Sequence, residues 1–254
     1  MYIIVTRTFP PELGGMQSLM WGLSREMSKN FMIKVFADYH KNHKNFDEQV
    51  SFSIERVGGI KFLRKIRKAQ LINEFLKENK VEGIIADHWK SLELIKTDNK
   101  KYCLIHGKEI NHPVGSSLNK RVIKVLNNVE KVIANSEYTK NLAINNGVDQ
   151  DRVIVINPGA DPVQELNKKS LEKVESLLKV KTPRLITVSR FDKRKNHEKV
   201  IMALRNLKQL YPDIVYICIG YGDEEENIKK LVEELDLTSQ VLFFKDISND
   251  LKNA

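Results

Sequence analysis

The stretch KVIANSEYTKNLAINNGVDQDRVIVINPGADP, residues 131–162, decides the fold. It opens with an apolar run at 131–136 and continues with a segment at 137–147 whose apolar residues recur at intervals of three and four. A second apolar run follows at 152–157. This order predicts a strand, a helix and a second strand, which is the repeating unit of a parallel sheet.

The same alternation extends outward from this stretch in both directions. Towards the amino terminus it predicts strands at 2–6, 31–37, 50–57, 82–86 and 101–107, with helices at 16–30, 61–80 and 117–129. Towards the carboxyl terminus it predicts helices at 169–180, 198–211 and 224–237, with strands at 184–190, 215–222 and 240–247. Strands that alternate with helices indicate an α/β fold with helices on both faces of each sheet.

A turn-rich segment, NPGADPVQELNK, separates the two groups of strands. Pro158, Gly159 and Pro162 interrupt both helix and strand patterns there. We therefore expect two doubly wound domains, at 1–162 and 163–254, with about seven strands in the first and three in the second. A doubly wound sheet has about six strands, so we expect either a very small second domain or a shortened form of a longer protein.

Composition narrows the class of protein. The chain has 254 residues, of which 41% are hydrophobic, enough for a sizeable core. Cys103 and Cys218 lie inside predicted strands, far apart in sequence, which suits a reducing cytoplasm. No apolar run approaches the length of a membrane span, and the amino terminus lacks the pattern of a secretory leader. We expect a soluble, cytoplasmic protein that at most rests on the inner face of a membrane.

The net charge of +9 is unevenly placed. Residues 1–160 carry 25 Lys and Arg against 17 Asp and Glu, a net charge of +8, and the remaining residues carry +1. Nucleic acid, anionic lipid or an acidic ligand would each account for a basic first domain. The segment 60–80 is basic and amphipathic, so it is either a surface helix packed on the sheet or an attachment site for anionic lipid headgroups.

Two loops combine features that suit an anionic ligand. Gly14 and Gly15 follow the first strand and precede a helix, where backbone amides meet a phosphate or sugar closely, although a plain tight turn explains them equally well. In the second domain, Arg190 follows a strand and Lys195 stands where a helix begins. A guanidinium clamps two phosphate oxygens and a lysine adds a point charge. The alternative is a solvated basic loop.

Two further loops hold candidate residues. His106 stands where the fifth strand ends, where its imidazole either donates to a ligand hydroxyl or binds backbone. Gly220 and Gly222 lie between a strand and an acidic helix start, which is consistent with helix capping or with a ligand close to the backbone.

Taken in order, five segments resemble the retaining group-1 glycosyltransferases, family 4, which have two facing Rossmann-like domains in the GT-B fold. They are PPELGGMQSLMWGLSREM, IHGKE, the stretch at 132–162, LITVSRFDKRKNHEKVIMAL and ICIGYGDEEENIKKLVEELDLTSQVLFFKDIS. The resemblance covers nearly the whole chain. It implies a transferase that moves a hexose from a UDP- or GDP-sugar to a glycan or lipid-linked acceptor, as in the synthesis of a cell-envelope polysaccharide.

The resemblance also implies roles for single residues. Arg190 and Lys195 would hold the diphosphate of the donor, Gly15 would direct its amide to the same phosphates, and His106 would lie beside the donor sugar. No metal or cofactor is implied, because the cations stabilise the leaving group's charge. The other donor-binding candidates are Gly14, Gly220, Gly222, Phe244, Lys245, Asp246 and Ile247. Four further candidates are Glu109, Ser136, Asn157 and Asp161.

Several departures from the family pattern leave a second hypothesis open. Asn196 and Lys245 stand where the family often has glycine, and the acidic motif that follows in the family is absent from the 254 residues. A truncated, non-catalytic pair of domains that binds a nucleotide sugar or a partner is therefore the alternative. A nucleotide-sugar epimerase is the nearest enzymatic rival. Nucleic-acid binding is not expected, because the chain has no recognisable module or aromatic platform for it.

Overall fold

The computed structural model describes residues 1–160, 167–178 and 181–245. The chain divides into two compact units, unit 1 (Met1–Asp161) and unit 2 (Pro162–Ala254). The predicted domain boundary at 162 lies outside the described residues and stays a prediction.

Unit 1 is built on a parallel sheet in which seven strands are described, in the order β3-β2-β1-β4-β5-β6-β7. The strands are β1 Tyr2–Val5, β2 Ile33–Asp38, β3 Ser53–Val57, β4 Gly83–Ala86, β5 Lys100–Ile105, β6 Lys131–Ala134 and β7 Val153–Val155. The order reverses between β1 and β4, so the loops after these two strands diverge and leave a crevice at the carboxyl ends of the strands.

Six α-helices are described in unit 1: α1 Gly15–Ser28, α2 His43–Asp47, α3 Lys61–Glu78, α4 Trp89–Leu92, α5 Ser117–Leu126 and α6 Glu137–Asn145. They cover both faces of the sheet. Ile4 and Val35 pack with Met20 of α1 on one face, whereas Ile84 and Ile105 pack in the other cluster. Because alternate residues of each strand point to opposite faces, strands buried on both sides read as continuous apolar runs.

Unit 2 has a three-stranded parallel sheet among its described residues, in the order β10-β9-β8. The strands are β8 Arg184–Val188, β9 Val215–Ile219 and β10 Val241–Phe244, and the helices are α7 Lys168–Leu178, α8 His197–Leu210 and α9 Glu225–Glu234. Tyr216 and Cys218 pack towards Ile201 of α8 and Ile228 of α9, and Ile217 packs towards Leu178 of α7. Helices on both faces confirm the predicted α/β class.

The observed elements differ from the predicted ones mainly at their ends. The predicted strands at 101–107, 184–190 and 215–222 stop at Ile105, Val188 and Ile219, because backbone pairing ends where the sheet ends. The short helices α2 and α4 were not predicted, because four or five residues are too few to show a helical period.

Among the described residues, no helix has both the length and the hydropathy that a membrane crossing requires. The basic segment predicted at 60–80 forms helix α3, and part of its charge is used inside unit 1. Arg64 and Lys68 both contact Asp38, and Lys65 contacts Glu93, so three of its basic side chains are engaged within unit 1.

Candidate functional site

The carboxyl edge of the unit 1 sheet brings together several predicted site residues. Val5 of β1 pairs with Ala86 of β4, and Ile105 of β5 pairs with Ala134 of β6, so the loops after these strands leave from one edge. In α/β sheets this edge is where ligands bind. The predicted residues on it are Gly14, Gly15, His106, Glu109, Ser136 and Asn157.

The glycine loop after β1 ends in an open helix start. Gly14 has a φ of 157°, and Gly15 is the first residue of α1. A Cβ added at Gly14 would lie 2.4 Å from Oε1 of the Gln17 side chain, whereas one added at Gly15 would meet no atom within 4 Å. The space beside Gly15 is therefore free for a ligand to approach the first amides of α1.

The ion pair between Arg56 and Asp47 holds the glycine loop in place. The Arg56 side chain is only 4% exposed, and its Nε and Nη2 donate to the two Asp47 carboxylate oxygens at 3.0 and 2.6 Å. Nη2 also donates to the carbonyl of Pro10 at 2.6 Å. Because Arg56 belongs to β3 and Pro10 to the loop, this contact fixes the path of the chain that leads to Gly14 and Gly15.

Asp87, the residue after β4, fixes the first residues of the same loop. One of its oxygens lies 2.8 Å from Thr6 Oγ1 and accepts a hydrogen bond from the amide of Arg7 at 2.9 Å. The other accepts from Ser91 Oγ at 3.1 Å. The sequence analysis did not single out Asp87, although an acidic residue directly after a buried strand is a usable signal.

Lys68 of α3 contacts the chain at the ends of β1 and β2. Its side chain is buried, and its ammonium donates to the carbonyl of Thr6 at 2.6 Å and to the carboxylate of Asp38. Burial lowers the pKa of Lys68 from its usual value, and the nearby Asp38 opposes that change. Lys68 therefore ties the ends of β1 and β2 to α3.

Two histidines stand at the ends of neighbouring strands. The backbone amide of His106 donates to Glu109 Oε1 at 2.5 Å, and the Nε2 atom of His106 is buried with no hydrogen-bond partner among the residues that the structure describes. His88 follows β4, and its Nδ1 accepts a hydrogen bond from the amide of Lys90 at 2.9 Å. Burial, and then the positive charge of Arg7, lowers the pKa of His88 to about 3. His88 is thus neutral at physiological pH.

Glu109, Ser136 and Asn157 have local structural contacts in unit 1. Glu109 accepts from two backbone amides, those of His106 and Gly107. Ser136 caps α6, because its Oγ accepts from the amide of Thr139 at 3.2 Å. Asn157 is exposed and donates to the carbonyl of Asn135 at 3.5 Å. Asp161 lies outside the described residues.

Unit 2 presents Arg190 and Lys195 at the carboxyl end of β8. The Arg190 side chain is 73% exposed and makes one long contact, 3.4 Å, with Asp192. Lys195 is exposed and ends a 3-10 turn at Lys193–Lys195 that leads directly into α8. A long contact and high exposure leave both cations available to an anion at the start of α8.

The two glycines of unit 2 have a packing cause. A Cβ added at Gly220, whose φ is 144°, would lie 2.0 Å from the carbonyl oxygen of Ser189, and one at Gly222 would lie 2.3 Å from the carbonyl oxygen of Phe191. The amide of Phe191 also donates to the carbonyl of Tyr221 at 3.0 Å. The loop at 189–191 therefore lies directly against the loop at 220–222.

The departures from the family pattern fit their local geometry. Asn196 has φ 63° and ψ 32°, a left-handed conformation that asparagine adopts more readily than most residues. Phe244 ends β10, and Lys245 Nζ lies 2.9 Å from Glu225 Oε1. Hydrogen bonding to Lys229, and then to Lys245, lowers the pKa of the Glu225 carboxyl. Asp246 and Ile247 lie outside the described residues.

One buried residue behind the basic loop was missed. His197, the first residue of α8, is buried, packs edge-on against Phe191 at 4.8 Å and lies 3.5 Å from Ser189 Oγ. Burial lowers the pKa of His197 and so disfavours its charged form. The contacts of its ring with Phe191 and Ser189 support the loop that carries Arg190.

Two surface pockets of unit 1, of about 530 and 680 Å³, contain none of the predicted site residues. They are lined by residues such as Met32 and Phe75, and by Asn128 and Arg152, away from the carboxyl edge. The described part of the chain also contains no grouping of three His, Cys, Asp or Glu side chains that would hold a metal ion. The expectation of metal-free chemistry stays a prediction.

Curated relatives cover almost all of the chain. It is 20% identical over 259 aligned residues to a GDP-mannose-dependent alpha-(1-6)-phosphatidylinositol monomannoside mannosyltransferase of Mycolicibacterium smegmatis, covering 96% of this chain and 67% of that protein. It is 23% identical to an uncharacterized glycosyltransferase of Methanocaldococcus jannaschii, covering 90% of this chain and 65% of that protein. The chain thus spans about two thirds of the length of both relatives.

Solved structures share the fold. The Anabaena protein HepE in complex with UDP and glucose matches 100% of this chain and 71% of its own, with a TM-score of 0.78 at 19% identity. The Glycosyl transferases group 1 family matches residues 168–254, and Glycosyltransferase Family 4 matches residues 13–164, more than half of the chain. The chain therefore belongs to glycosyltransferase family 4, with the fold of the GT-B enzymes.

Proposed function

We propose that this protein transfers a hexose from a nucleoside-diphosphate sugar to a glycan or lipid-linked acceptor, with retention of configuration at the transferred carbon. In this reaction the bond from the sugar to the diphosphate breaks and a bond to an acceptor hydroxyl forms. The leaving diphosphate gains negative charge, which positioned cations stabilise. The mannosyltransferase relative acts with GDP-mannose and HepE was solved with UDP, so both classes of donor are candidates.

The observation that carries the proposal is the pair Arg190 and Lys195. Both are exposed at the carboxyl end of β8, and among the described residues the charge of Arg190 is met by the 3.4 Å contact with Asp192 alone. A diphosphate offers several oxygens to a planar guanidinium and to an ammonium. The residues lie in the part of the chain that matches the group 1 family, which supports this role.

In unit 1, Gly15 and His106 take the proposed roles beside the donor phosphates and the donor sugar. The open space at Gly15 suits the approach of a phosphate to the α1 amides. The buried, unpartnered Nε2 of His106 suits a sugar hydroxyl that would supply the missing hydrogen bond. Both roles are proposals that the geometry supports.

We further propose that the protein works at the cytoplasmic face of a membrane as a peripheral protein. At the start of α3, Ile60 is 72% exposed and Leu63 is 54% exposed, and Arg67 is exposed one turn further on. Apolar side chains beside a free cation are the combination that binds anionic lipid surfaces. Cosedimentation with vesicles of phosphatidylglycerol, but not of phosphatidylcholine, is expected, and Ile60→Ser with Leu63→Ser should abolish it.

A binding titration tests the donor site directly. GDP-mannose and UDP-glucose are titrated separately into the chain, into Arg190→Ala and into Lys195→Ala, with Lys199→Ala as the control for loss of one exposed charge. We expect each site variant to weaken donor binding by roughly tenfold or more, because a charge-assisted hydrogen bond to a phosphate is lost. Lys199→Ala should bind as the unchanged chain does. Equal binding by all four proteins would refute the assignment of Arg190 and Lys195.

A turnover assay separates transfer from binding alone. Release of nucleoside diphosphate is followed with each donor in the presence of membrane lipid extracts or glycans, and the anomeric configuration of the product is read by NMR. Release that depends on the acceptor supports the transferase. Donor binding without any release would favour the non-catalytic alternative, and an inverted product would refute retention.

A further inference from the structure

The loops after β1 and β4 bring together cations that lack a carboxylate partner. The pairing of Val5 with Ala86 places Arg7 and His88 at equivalent positions, each two residues beyond the paired strand ends. Arg7 is exposed, and its guanidinium makes no hydrogen bond or ion pair with another described residue. The ammonium of Lys90 lies 5.1 Å from the ring centroid of Trp89 and likewise contacts no carboxylate in the described parts of the chain.

The surroundings of these cations add positive charge. Lys65 and Arg121 both contact Glu93, and the Arg121 guanidinium carbon lies 5.5 Å from the ring centroid of Trp89. Lys90 thus has the cations Arg7, Lys65 and Arg121 as charged neighbours, together with the Glu93 carboxylate that Lys65 and Arg121 contact. Partial burial and then the charge of Arg7 lower the pKa of Lys90, as expected where like charges face one another.

The neighbouring carboxylates are oriented towards other groups. Asp87 is buried and accepts hydrogen bonds from Thr6, from the Arg7 amide and from Ser91. Glu109 accepts from backbone amides of the β5 loop. Among the described residues, no carboxylate therefore forms an ion pair with the Arg7 guanidinium or the Lys90 ammonium.

An uncharged donor accompanies the two cations. The Nδ1 atom of His88 accepts a hydrogen bond from the Lys90 amide, so in the neutral ring the proton is on Nε2. Nε2 is thereby a donor with no partner among the described residues, next to two cations.

Trp89 is fully buried, so its ring is not available as a stacking platform for a nucleic-acid base.

From this arrangement we propose that Arg7, Lys90 and the Nε2–H of His88 bind a phosphate group carried by the acceptor substrate. A guanidinium, an ammonium and a neutral N–H match the several acceptor oxygens of one phosphate. A neutral glycan would leave both cations uncompensated. The inference rests on the proposed transferase function and narrows its acceptor to phosphorylated molecules, either phospholipids or soluble phosphate esters.

The test uses inorganic phosphate and a probe that belongs to unit 1. The chain has two tryptophans, Trp21 and Trp89. Their ¹⁹F NMR signals after 5-fluorotryptophan labelling are assigned with Trp21→Phe. At constant ionic strength kept with chloride, phosphate should shift the Trp89 signal with saturation. Arg7→Ala with Lys90→Ala should raise the apparent dissociation constant about tenfold or more.

Matched controls separate this site from the donor site and from net charge. Lys77→Ala with Lys96→Ala removes two exposed cations elsewhere in unit 1 and should leave the phosphate response unchanged. Arg190→Ala should also leave it unchanged, because its effect is on donor binding. If GDP-mannose and UDP-glucose fail to bind while phosphate still shifts the Trp89 signal, the proposed function is refuted and the phosphate site is not.

Two further probes identify the source of the phosphate. Glycerol 3-phosphate and vesicles of phosphatidic acid in phosphatidylcholine are titrated at equal phosphate concentration, and saturation at the lower concentration identifies a soluble ester or a lipid headgroup. An unshifted Trp89 signal with every phosphate probe would overturn the proposal. So would an equal weakening by the Arg7 and Lys90 pair and by the Lys77 and Lys96 pair, since that outcome reports net charge alone.

Discussion

Replacing Gly220 by alanine should destabilise unit 2 and disorder the loop that carries Arg190. The new Cβ would lie 2.0 Å from the carbonyl oxygen of Ser189, so at least 1.0 Å of movement is needed before the contact reaches 3.0 Å. Hydrogen bonds hold both sides in place, from the Ser189 amide to Ile219 at 3.0 Å and from the Gly220 amide to Phe244 at 2.8 Å. Moving the two segments apart by this distance would break one of these hydrogen bonds.

The magnitude follows from two costs. The φ of 144° is a region that side chains other than glycine rarely adopt, and such strain costs about 1–3 kcal/mol. Overpacking adds about 1–3 kcal/mol. The free energy of unfolding of unit 2 should therefore fall by about 2–6 kcal/mol, a large part of the roughly 5–15 kcal/mol that stabilises a typical domain.

Urea unfolding followed by two probes tests the effect. Trp21 and Trp89 both lie in unit 1, so tryptophan fluorescence follows that unit while far-UV circular dichroism follows both. Gly220→Ala should shift only the transition seen by circular dichroism. Gly15→Ala is the matched control, because its Cβ meets no atom within 4 Å. A loss below about 1 kcal/mol for Gly220→Ala would refute the reasoning.

Three other outcomes follow from the described contacts. Arg56→Met should cost about 1.5–3 kcal/mol of unfolding free energy, because it removes the guanidinium hydrogen bonds to the partly buried Asp47 carboxylate and leaves that carboxylate with the 2.8 Å contact to His43 Nδ1; adding Asp47→Leu should recover part of the loss in a urea titration. Hydrogen bonding to Arg121 lowers the pKa of Glu93 to about 2. The contribution of Glu93 to the free energy of unfolding is therefore full above the unfolded pKa near 4.3 and is lost as the pH falls towards 2. In Glu93→Gln the free energy of unfolding should depend less on pH over this acidic range. Because the pKa of His88 is about 3, its ring proton NMR signals should not titrate between pH 8 and 5, and a midpoint near 6.5 would contradict its burial.

The alternation of apolar runs was enough to predict the sheet, because strands of a parallel sheet are buried on both faces and lack polar interruptions. The positions of Arg190 and His106 beyond strand ends were also predictable, since each follows such a run. The structural reason for each glycine could not be predicted from the sequence. Gly15 and Gly220 look alike in sequence, yet one faces open space and the other contacts the carbonyl oxygen of Ser189, 31 residues away in the chain.

The structural roles of Asp87 and Lys68 were missed for a related reason. Each acts through a partner that only folding supplies: Lys68 reaches Thr6 and Asp38, and Asp87 reaches Thr6 across the sheet. Single charged residues have no period that sequence analysis detects, so their roles become visible only when the ends of the strands meet.

The contact between the loops at 189–191 and 220–222 bears on how specificity evolves in this protein. Both glycines meet main-chain atoms, whereas the Arg190 side chain and Tyr221 point outward, 73% and 58% exposed. The main-chain contact between the two loops therefore does not depend on which side chains stand at positions 190 and 221. Mutation can exchange the exposed residues one at a time while the two glycines stay fixed, and under the proposed function such exchanges would alter nucleotide preference.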